Sequence, residues 1–550
     1  MLNHDGYFSE KMLTYRIEVN GIASVYIACW AGSQLIQNLS FLDSDNDYIS
    51  SEHLPFSLRK DFAYGGTRLG KYLGNKIESS KRAIKSVNFL ALAESHIKHT
   101  IINRAIREGC LNKLIDPLTF KVLRELKAHN ELQNDIEIGY KVPEEYLELN
   151  IKGARCIILP HSEQIESILK DINNPQFNEI SEKIFKEIGK FLNGLETYDQ
   201  IDLEGNILQK VALIKGNINL TPDFGRFAQI ADLLNKFTPQ VLCINAKAGG
   251  CSGKVAYTVT GILAGLEACI DNGLSNLDPE TKVTFIGSAG ALGAVILQHF
   301  KEINLLNVRV ADLQYKLEKI FRINTASDLE QLKIKTYSIQ DQDTFKVITL
   351  TNDILEVKIN DQIIELVGGG YQVIPATWEV ISSVEGKYTD EALNQKGIII
   401  ATTIGREIEN SNYDLIPSGT LFIAAHNIAL PLGREGLNIV NYLHGKGVFF
   451  VPGQPLTLGG ALTSRLEACH RAFYKITKND EGKNNVLFPK RLAHEIVREI
   501  VYYLIDAIIQ NKNNSPWENL LEYSQLPELL ELEDQTSGLN HKFIPYDMRF

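Results

Sequence analysis

The sequence contains no C-x-x-C pair, no H-x-x-x-H or H-E-x-x-H arrangement, and nowhere 18 consecutive apolar residues. The missing histidine spacings argue against a catalytic metal, so no metal ligand is assigned. The seven cysteines, Cys29, Cys110, Cys156, Cys243, Cys251, Cys269 and Cys469, are odd in number and scattered. Neither a disulfide framework nor a zinc site is expected, and most should be buried thiols. The lack of a long apolar run excludes a spanning helix, and the first residues, MLNHDGYFSEK, do not place a basic region before an apolar one. A cytoplasmic protein without membrane contact is the expectation. Positive charge is also short, with 56 Lys and Arg against 67 Asp and Glu and a net charge of -11. Without a basic patch carrying interleaved aromatics, nucleic acid is not expected as a partner.

What is present begins with Lys282 to Asp312, KVTFIGSAGALGAVILQHFKEINLLNVRVAD. The apolar strand Val283 to Ile286 runs into Gly287, Gly290 and Gly293, a helical pattern follows, and a second strand ends on Asp312. Glycines at such a turn let a pyrophosphate approach the amides of the helix start, where the helix dipole favours an anion. An acid closing the second strand can accept hydrogen bonds from an adenosine ribose and repel a 2′-phosphate, which favours NAD over NADP. The spacing is G-x-x-G-x-x-G, one residue from the common fingerprint, so a turn serving only packing is the competing reading. The strand, helix and acid around it favour the nucleotide.

Along the chain the organisation is α/β. Residues 14–31 alternate as a hairpin around Asn20-Gly21, and residues 78–108 are helical in pattern. From Val255 to His444 strands and helices alternate as in a parallel, doubly wound sheet, interrupted at 343–366 by consecutive strands with an Asn360-Asp361 turn, read as a β insertion. Leu492, Ile496, Ile500, Val501, Leu504, Ile505 and Ile508 form an apolar stripe at helical spacing that belongs in a core. The tail after Asn513 is polar and is expected to wrap loosely. In NAKAGGCSGKVAY the phosphate-loop spacing is not met, and the segment reads as an interdomain linker with Cys251 as a small buried or cleft residue.

Several segments, in this order, resemble the glutamate/leucine/phenylalanine/valine dehydrogenase family, most closely its leucine dehydrogenase branch: Tyr64-Gly65-Gly66-Thr67-Arg68, IFKEIGKFLNGL at 184–195, Thr221-Pro222-Asp223-Phe224-Gly225, YTVTGILAGLEA at 257–268, the glycine turn, Ala424-Ala425-His426-Asn427, and LHGKGVFFVPGQPLTLGGAL at 443–462. The resemblance implies two domains: an N-terminal α/β substrate-binding and oligomerisation domain at 1–245 and a Rossmann-type NAD-binding domain at 246–475, with C-terminal helices at 476–550 packing back on the first. It also implies a homo-oligomer. For the site it implies that Gly65 and Gly66 line the substrate, that Lys98 binds its carboxylate, with His99 as the alternative one register along, and that Asp223 is the general acid/base. Thr258, Gly287, Ser288, Ala289, Gly290, Ala291, Leu292, Gly293, Asp312, Thr402 and Asn427 would meet NAD.

The chain also departs from the family. Lys152-Gly153-Ala154-Arg155 matches the segment that should end in a catalytic lysine, so Arg155 stands where a proton-shuttling amine is expected. Arginine stays protonated but can orient a carboxylate or carbonyl. Gly453 follows Pro452 where the family has an aspartate, Leu458 takes an asparagine position, and segments are added near 105–150, 196–216 and 313–390. The expectation is an NAD-dependent oxidoreductase acting on the CH–NH2 group of a small amino acid, or on its imino or keto acid, in a cleft between two domains. Two alternatives remain: a non-redox lyase or cyclase keeping NAD tightly bound, and a regulatory protein that binds NAD without turnover.

Overall fold

The computed structural model describes residues 12–30, 58–59, 61–115, 146–147, 149–222, 231–244, 249–251, 253–313, 320–322, 345–351, 354–359, 362–367, 372–375, 377–383, 388–403, 407–431, 433–473 and 488–530. The chain divides into two compact units, one of residues 1–257, 458–504 and 523–550, the other of 258–457 and 505–522.

The first unit is built on a seven-stranded mixed sheet. Its strands are β1 (Met12–Val19), β2 (Ala23–Trp30), β3 (Asp61–Leu69), β4 (Asn150–Pro160), β5 (Thr197–Ile201), β6 (Ile207–Ala212) and β7 (Ile218–Pro222), in the order β6-β5-β1-β2-β4-β3-β7. β1 and β2 form the expected hairpin, with Gly21 at φ +70, a left-handed backbone that favours glycine. The added segment near 196–216 contains the β5-β6 hairpin, which forms one edge of the sheet.

Strand alternation sends side chains of β4 to opposite faces. Ala154, Cys156 and Ile158 join a core with Ile168, Phe185, Ile188 and Phe191 from the helices Glu163–Lys170 and Phe177–Asn193. Arg155 points the other way, toward the helical stretch Lys76–Leu90, Ala91–His96 and Ile97–Arg107, whose middle segment is a π-helix. The wide π turn passes close over β4, since a methyl on Gly153 would overlap the backbone of His96.

The second unit holds a six-stranded sheet. After β8 (Val283–Ile286) and β9 (Val308–Leu313) come β10 (Ile320–Arg322), β11 (Phe345–Thr351), β12 (Ile354–Ile359), β13 (Gln362–Val367) and β14 (Gln372–Ile374), then β15 (Glu379–Ser383), β16 (Ile398–Ala401), β17 (Leu421–Ala424) and β18 (Phe449–Val451). The sheet order is β15-β9-β8-β16-β17-β18 with every neighbouring pair parallel. Taken as six strands in chain order this is 3-2-1-4-5-6, the order of a doubly wound dinucleotide-binding sheet. β8, β16 and β17 are wholly buried, as continuous apolar runs in a two-sided parallel sheet must be. β11, β12 and β13 form a separate antiparallel sheet between β9 and β15, which is the expected insertion; the Asn360-Asp361 turn lies outside the described residues.

All seven residues of the C-terminal stripe are buried on the helix Lys490–Gln510. The tail departs from the loose wrapping expected of it. Pro516–Ser524 is helical, with Trp517 and Leu520 buried. Ser515 and Glu518 close a capping box: the Glu518 carboxylate accepts the Ser515 N–H at 3.0 Å, and the Ser515 hydroxyl accepts the Glu518 N–H at 3.4 Å. With Pro516 in the first turn, these local signals outweigh the polar composition. Residues 531–550 lie outside the described residues.

Truncating Ile500, which is fully buried, to Ala is expected to cost about 2–5 kcal/mol, read as a lower denaturation midpoint with an unchanged slope.

Candidate functional site

In the second unit, the assigned residues lie at one edge, where the parallel strands end. Gly287 follows β8, Asp312 is the last residue but one of β9, Thr402 follows β16 and Asn427 comes shortly after β17. β8 and β16 are the first and fourth strands, and their connections leave in opposite directions, which makes the crevice beside Gly287 the topological switch point.

The turn is held from three sides. Gly287 adopts φ +81, and its N–H donates to the Ala311 carbonyl at 2.8 Å. A Cβ there would lie 2.8 Å from Thr403 Cγ2 and 2.9 Å from Thr403 N, so both conformation and space call for glycine. The Thr402 hydroxyl donates to the Gly287 carbonyl at 3.0 Å, and the Ala289 N–H donates to Asp312 Oδ2 at 3.0 Å. A methyl on Gly293 would overlap the Ser288 carbonyl, which fixes the close approach of the helix Ala291–Glu302 to the turn.

Gly290 is the N-cap of that helix and has no side chain with which to cap it. Among the described residues, apart from its chain neighbours and its own helix, the one heavy atom within 4 Å of its Cβ position is the Gly287 carbonyl oxygen, at 3.4 Å. The turn is therefore open over Gly290, which fits a pyrophosphate resting on helix-start amides. Asp312 is buried, with its carboxylate directed at the glycine turn. The Asn427 side chain meets the Thr457 hydroxyl at 2.9 Å, and its backbone carbonyl accepts from Gln454 Nε2. Thr258, half-buried on the helix Lys254–Asp271, is the first residue of this unit.

In the first unit, Gly65 and Gly66 lie within β3, and a methyl on Gly65 would overlap the Ala154 carbonyl of β4. Arg155, also buried, donates from Nη2 to Glu94 Oε2 at 2.5 Å, and Arg68 Nη2 reaches the same oxygen at 2.7 Å. The three charges sum to +1. Glu94 is a residue that the motif comparison missed; its signal was a single acid inside the apolar helical run NFLALAESHI.

Lys98 is half-buried on the helix Ile97–Arg107. His99, the other register, is buried with Nε2 3.3 Å from the Tyr64 carbonyl oxygen. Burial first, and the nearby Arg465 charge second, hold its pKa well below the ordinary imidazole value. A neutral His99 supplies no cation for a carboxylate, so Lys98 is the better of the two. The catalytic candidate Asp223 lies outside the described residues; it follows Pro222, whose strand neighbour is Thr67.

One grouping was invisible in the spacing of cysteines. All seven are buried thiols, as expected, but Cys243 and Cys251 meet with sulfurs 3.4 Å apart beside Glu467. The two residues, too far apart in sequence for any C-x-x-C spacing, meet around one carboxylate. The Glu467 Oε2 accepts the backbone N–H groups of Cys243 at 2.9 Å and of Cys251 at 2.8 Å.

No family model matches the sequence, and no curated protein matches it. Among solved structures the chain is similar to L-tryptophan dehydrogenase from Nostoc punctiforme, at 12% identity over 97% of this chain and 100% of that one, with a TM-score of 0.45. It is similar to the hetero-hexameric glutamate dehydrogenase of Thermus thermophilus, at 14% identity over 96% of this chain and 88% of that one, TM-score 0.48. A third is the glutamate dehydrogenase of Peptoniphilus asaccharolyticus, at 10% identity over 96% of this chain and 91% of that one, TM-score 0.44. Each is a likeness in structure at low identity.

Two outcomes are expected. Gly287→Ala adds about 1–2 kcal/mol of left-handed backbone strain and displaces Thr403, so NAD affinity measured by calorimetry should fall by at least about tenfold. For His99, the unfolded chain takes up a proton below about pH 6.5 while the folded chain does not. Stability should therefore fall as pH drops through that value, and His99→Gln should flatten that part of the stability profile.

Proposed function

We propose that the chain is an NAD-dependent oxidoreductase acting on a small amino acid or its imino or keto acid. The observation that carries this reading is the glycine turn with left-handed Gly287, open over Gly290 and set at the switch point of a 3-2-1-4-5-6 parallel sheet. The turn amides and the helix start would hold the pyrophosphate. Asp312 would favour NAD, since a carboxylate there repels a 2′-phosphate, and Thr402 positions the turn through its bond to the Gly287 carbonyl. When bound, NAD supplies a hydride acceptor.

The chemistry of the amino or keto acid then belongs to residues of the first unit. Lys98 would bind the carboxylate. Asp223 would take a proton from the substrate ammonium, leaving a neutral amine whose α-carbon can give up a hydride, and would take a second from the water that attacks the resulting iminium carbon on the way to the keto acid. Gly65 and Gly66 would present backbone without side chains to the substrate. The domain roles, with residues 1–245 binding substrate and building a homo-oligomer, residues 246–475 binding NAD and residues 476–550 returning to the first domain, are part of the same proposal.

A second reading is favoured by one observation. Arg155 stands in place of the expected lysine and is engaged with Glu94. An arginine so held does not shuttle protons, which fits a non-redox lyase or cyclase with tightly bound NAD, or a regulatory NAD-binding protein.

The test is to incubate the chain with NAD and a panel of L-amino acids, follow formation of NADH, and repeat with Asp223→Asn. Reduction by at least one amino acid, lowered by about 10²-fold or more in the variant, is expected. Binding of NAD with no reduction by any amino acid would instead favour the second reading. NAD released only on denaturation would then point to the lyase or cyclase form.

A further inference from the structure

Cys243, Cys251, Ser464, Glu467 and Arg471, all buried, cluster in the first unit with the half-buried Lys254, and the proposed function does not use them. The two sulfurs are 3.4 Å apart although the cysteines are eight positions apart in the chain. Cys243 holds φ +65, a left-handed conformation rare for a residue with a side chain. Both cysteine amides converge on one oxygen of Glu467. The thiols therefore face each other beside one carboxylate, with local backbone strain at Cys243.

Two occupants suit facing thiols beside a carboxylate: a metal ion or a sulfur–sulfur bond. The surrounding charges favour the second. Glu467 Oε2 is already taken by two amides, and its other oxygen is ion-paired with Arg471 at 3.6 Å. Lys254 faces Cys243 and also donates to Thr221 at 2.9 Å. Lys254, Arg471 and the Glu467 carboxylate together leave one positive charge before either thiol ionises, which weakens the attraction for a divalent ion. A disulfide adds no charge and needs the sulfurs to close from 3.4 Å to about 2.05 Å.

The two thiols are also unequal. Burial pushes Cys243 up, but the hydrogen bond from Cys251, the Lys254 charge and the Ser464 hydroxyl at 2.9 Å outweigh it and leave the thiol below its ordinary value. Burial, and then the bond to Cys243, holds Cys251 well above its own. In a reaction between the two, Cys243 would be the attacking sulfur and Cys251 the proton-bearing partner.

We propose that Cys243 and Cys251 are a redox-active pair that closes to a reversible disulfide under a peroxide oxidant. The Cys243 thiolate attacks one peroxide oxygen, giving a sulfenic acid and hydroxide. The Cys251 sulfur then attacks the Cys243 sulfur, the S–O bond breaks, and water leaves with the Cys251 proton. In sum two thiols lose two electrons and two protons, and one peroxide becomes two waters.

The full chain is treated with hydrogen peroxide, alkylated in denaturant and digested with trypsin, which cuts after Lys247 and places the two cysteines on separate peptides, 237–247 and 248–254. Two of the seven thiols should escape alkylation, those peptides should be joined, and dithiothreitol should restore all seven. In Cys251→Ser, Cys243 should instead accumulate as a dimedone-reactive sulfenic acid. Because the first measurement uses the unaltered chain, it stands whether or not a variant folds. The proposal is overturned if all seven thiols remain alkylatable, if peroxide carries Cys243 to sulfinic acid without a joined peptide, or if the purified chain holds one metal ion per chain that both Cys→Ser variants lose.

Discussion

The candidate nucleotide site depends on backbone brought closer to backbone than any side chain would allow. At Gly287 a left-handed residue lies against Thr403, and at Gly293 the helix Ala291–Glu302 sits on the Ser288 carbonyl. These two contacts aim the helix start across the end of β8, and the bonds from Thr402 and to Asp312 hold the turn there. The same constraint recurs in the first unit, where Gly65 leaves room for the Ala154 carbonyl of the neighbouring strand. A glycine in these places lets backbone pack against backbone where a Cβ would collide.

Buried charge is the second organising element, and in both cases a glutamate gathers it. Glu94 joins two arginines from different strands, and Glu467 joins two cysteine amides and Arg471. A buried carboxylate removed from such a group would leave its partners uncompensated, which is why single acids inside apolar helices carry more weight than their number suggests. The Arg155 substitution belongs here. Its guanidinium is tied to Glu94, so the change from an amine to a permanent cation alters how charge is stored in the first unit as well as what the residue can do chemically.

Much of the fold was legible because the signals were local. The Asn20-Gly21 hairpin, the alternation of strands and helices, the glycine turn and the stripe from Leu492 to Ile508 each rest on spacing within one or two elements. The signal for the helix Pro516–Ser524 is equally local, but a polar composition masks the S-P-W-E capping pattern at Ser515 to Glu518. What spacing could not give were meetings between distant segments: Glu94 with Arg68 and Arg155, and Glu467 with Cys243 and Cys251. Both depend on the register of a helix against a strand or loop, which no periodicity encodes. His99 was ambiguous for the same reason, until burial and the Arg465 charge made it a neutral residue.

The central claim is that a dinucleotide binds at the carboxyl ends of β8, β9 and β16. A crystal structure of the chain grown with NAD tests it most directly. The account predicts the pyrophosphate over the turn from Gly287 to Gly293 and the adenosine ribose at Asp312. NAD bound at any other place, or a turn left empty in crystals of a chain shown to bind NAD in solution, would contradict it.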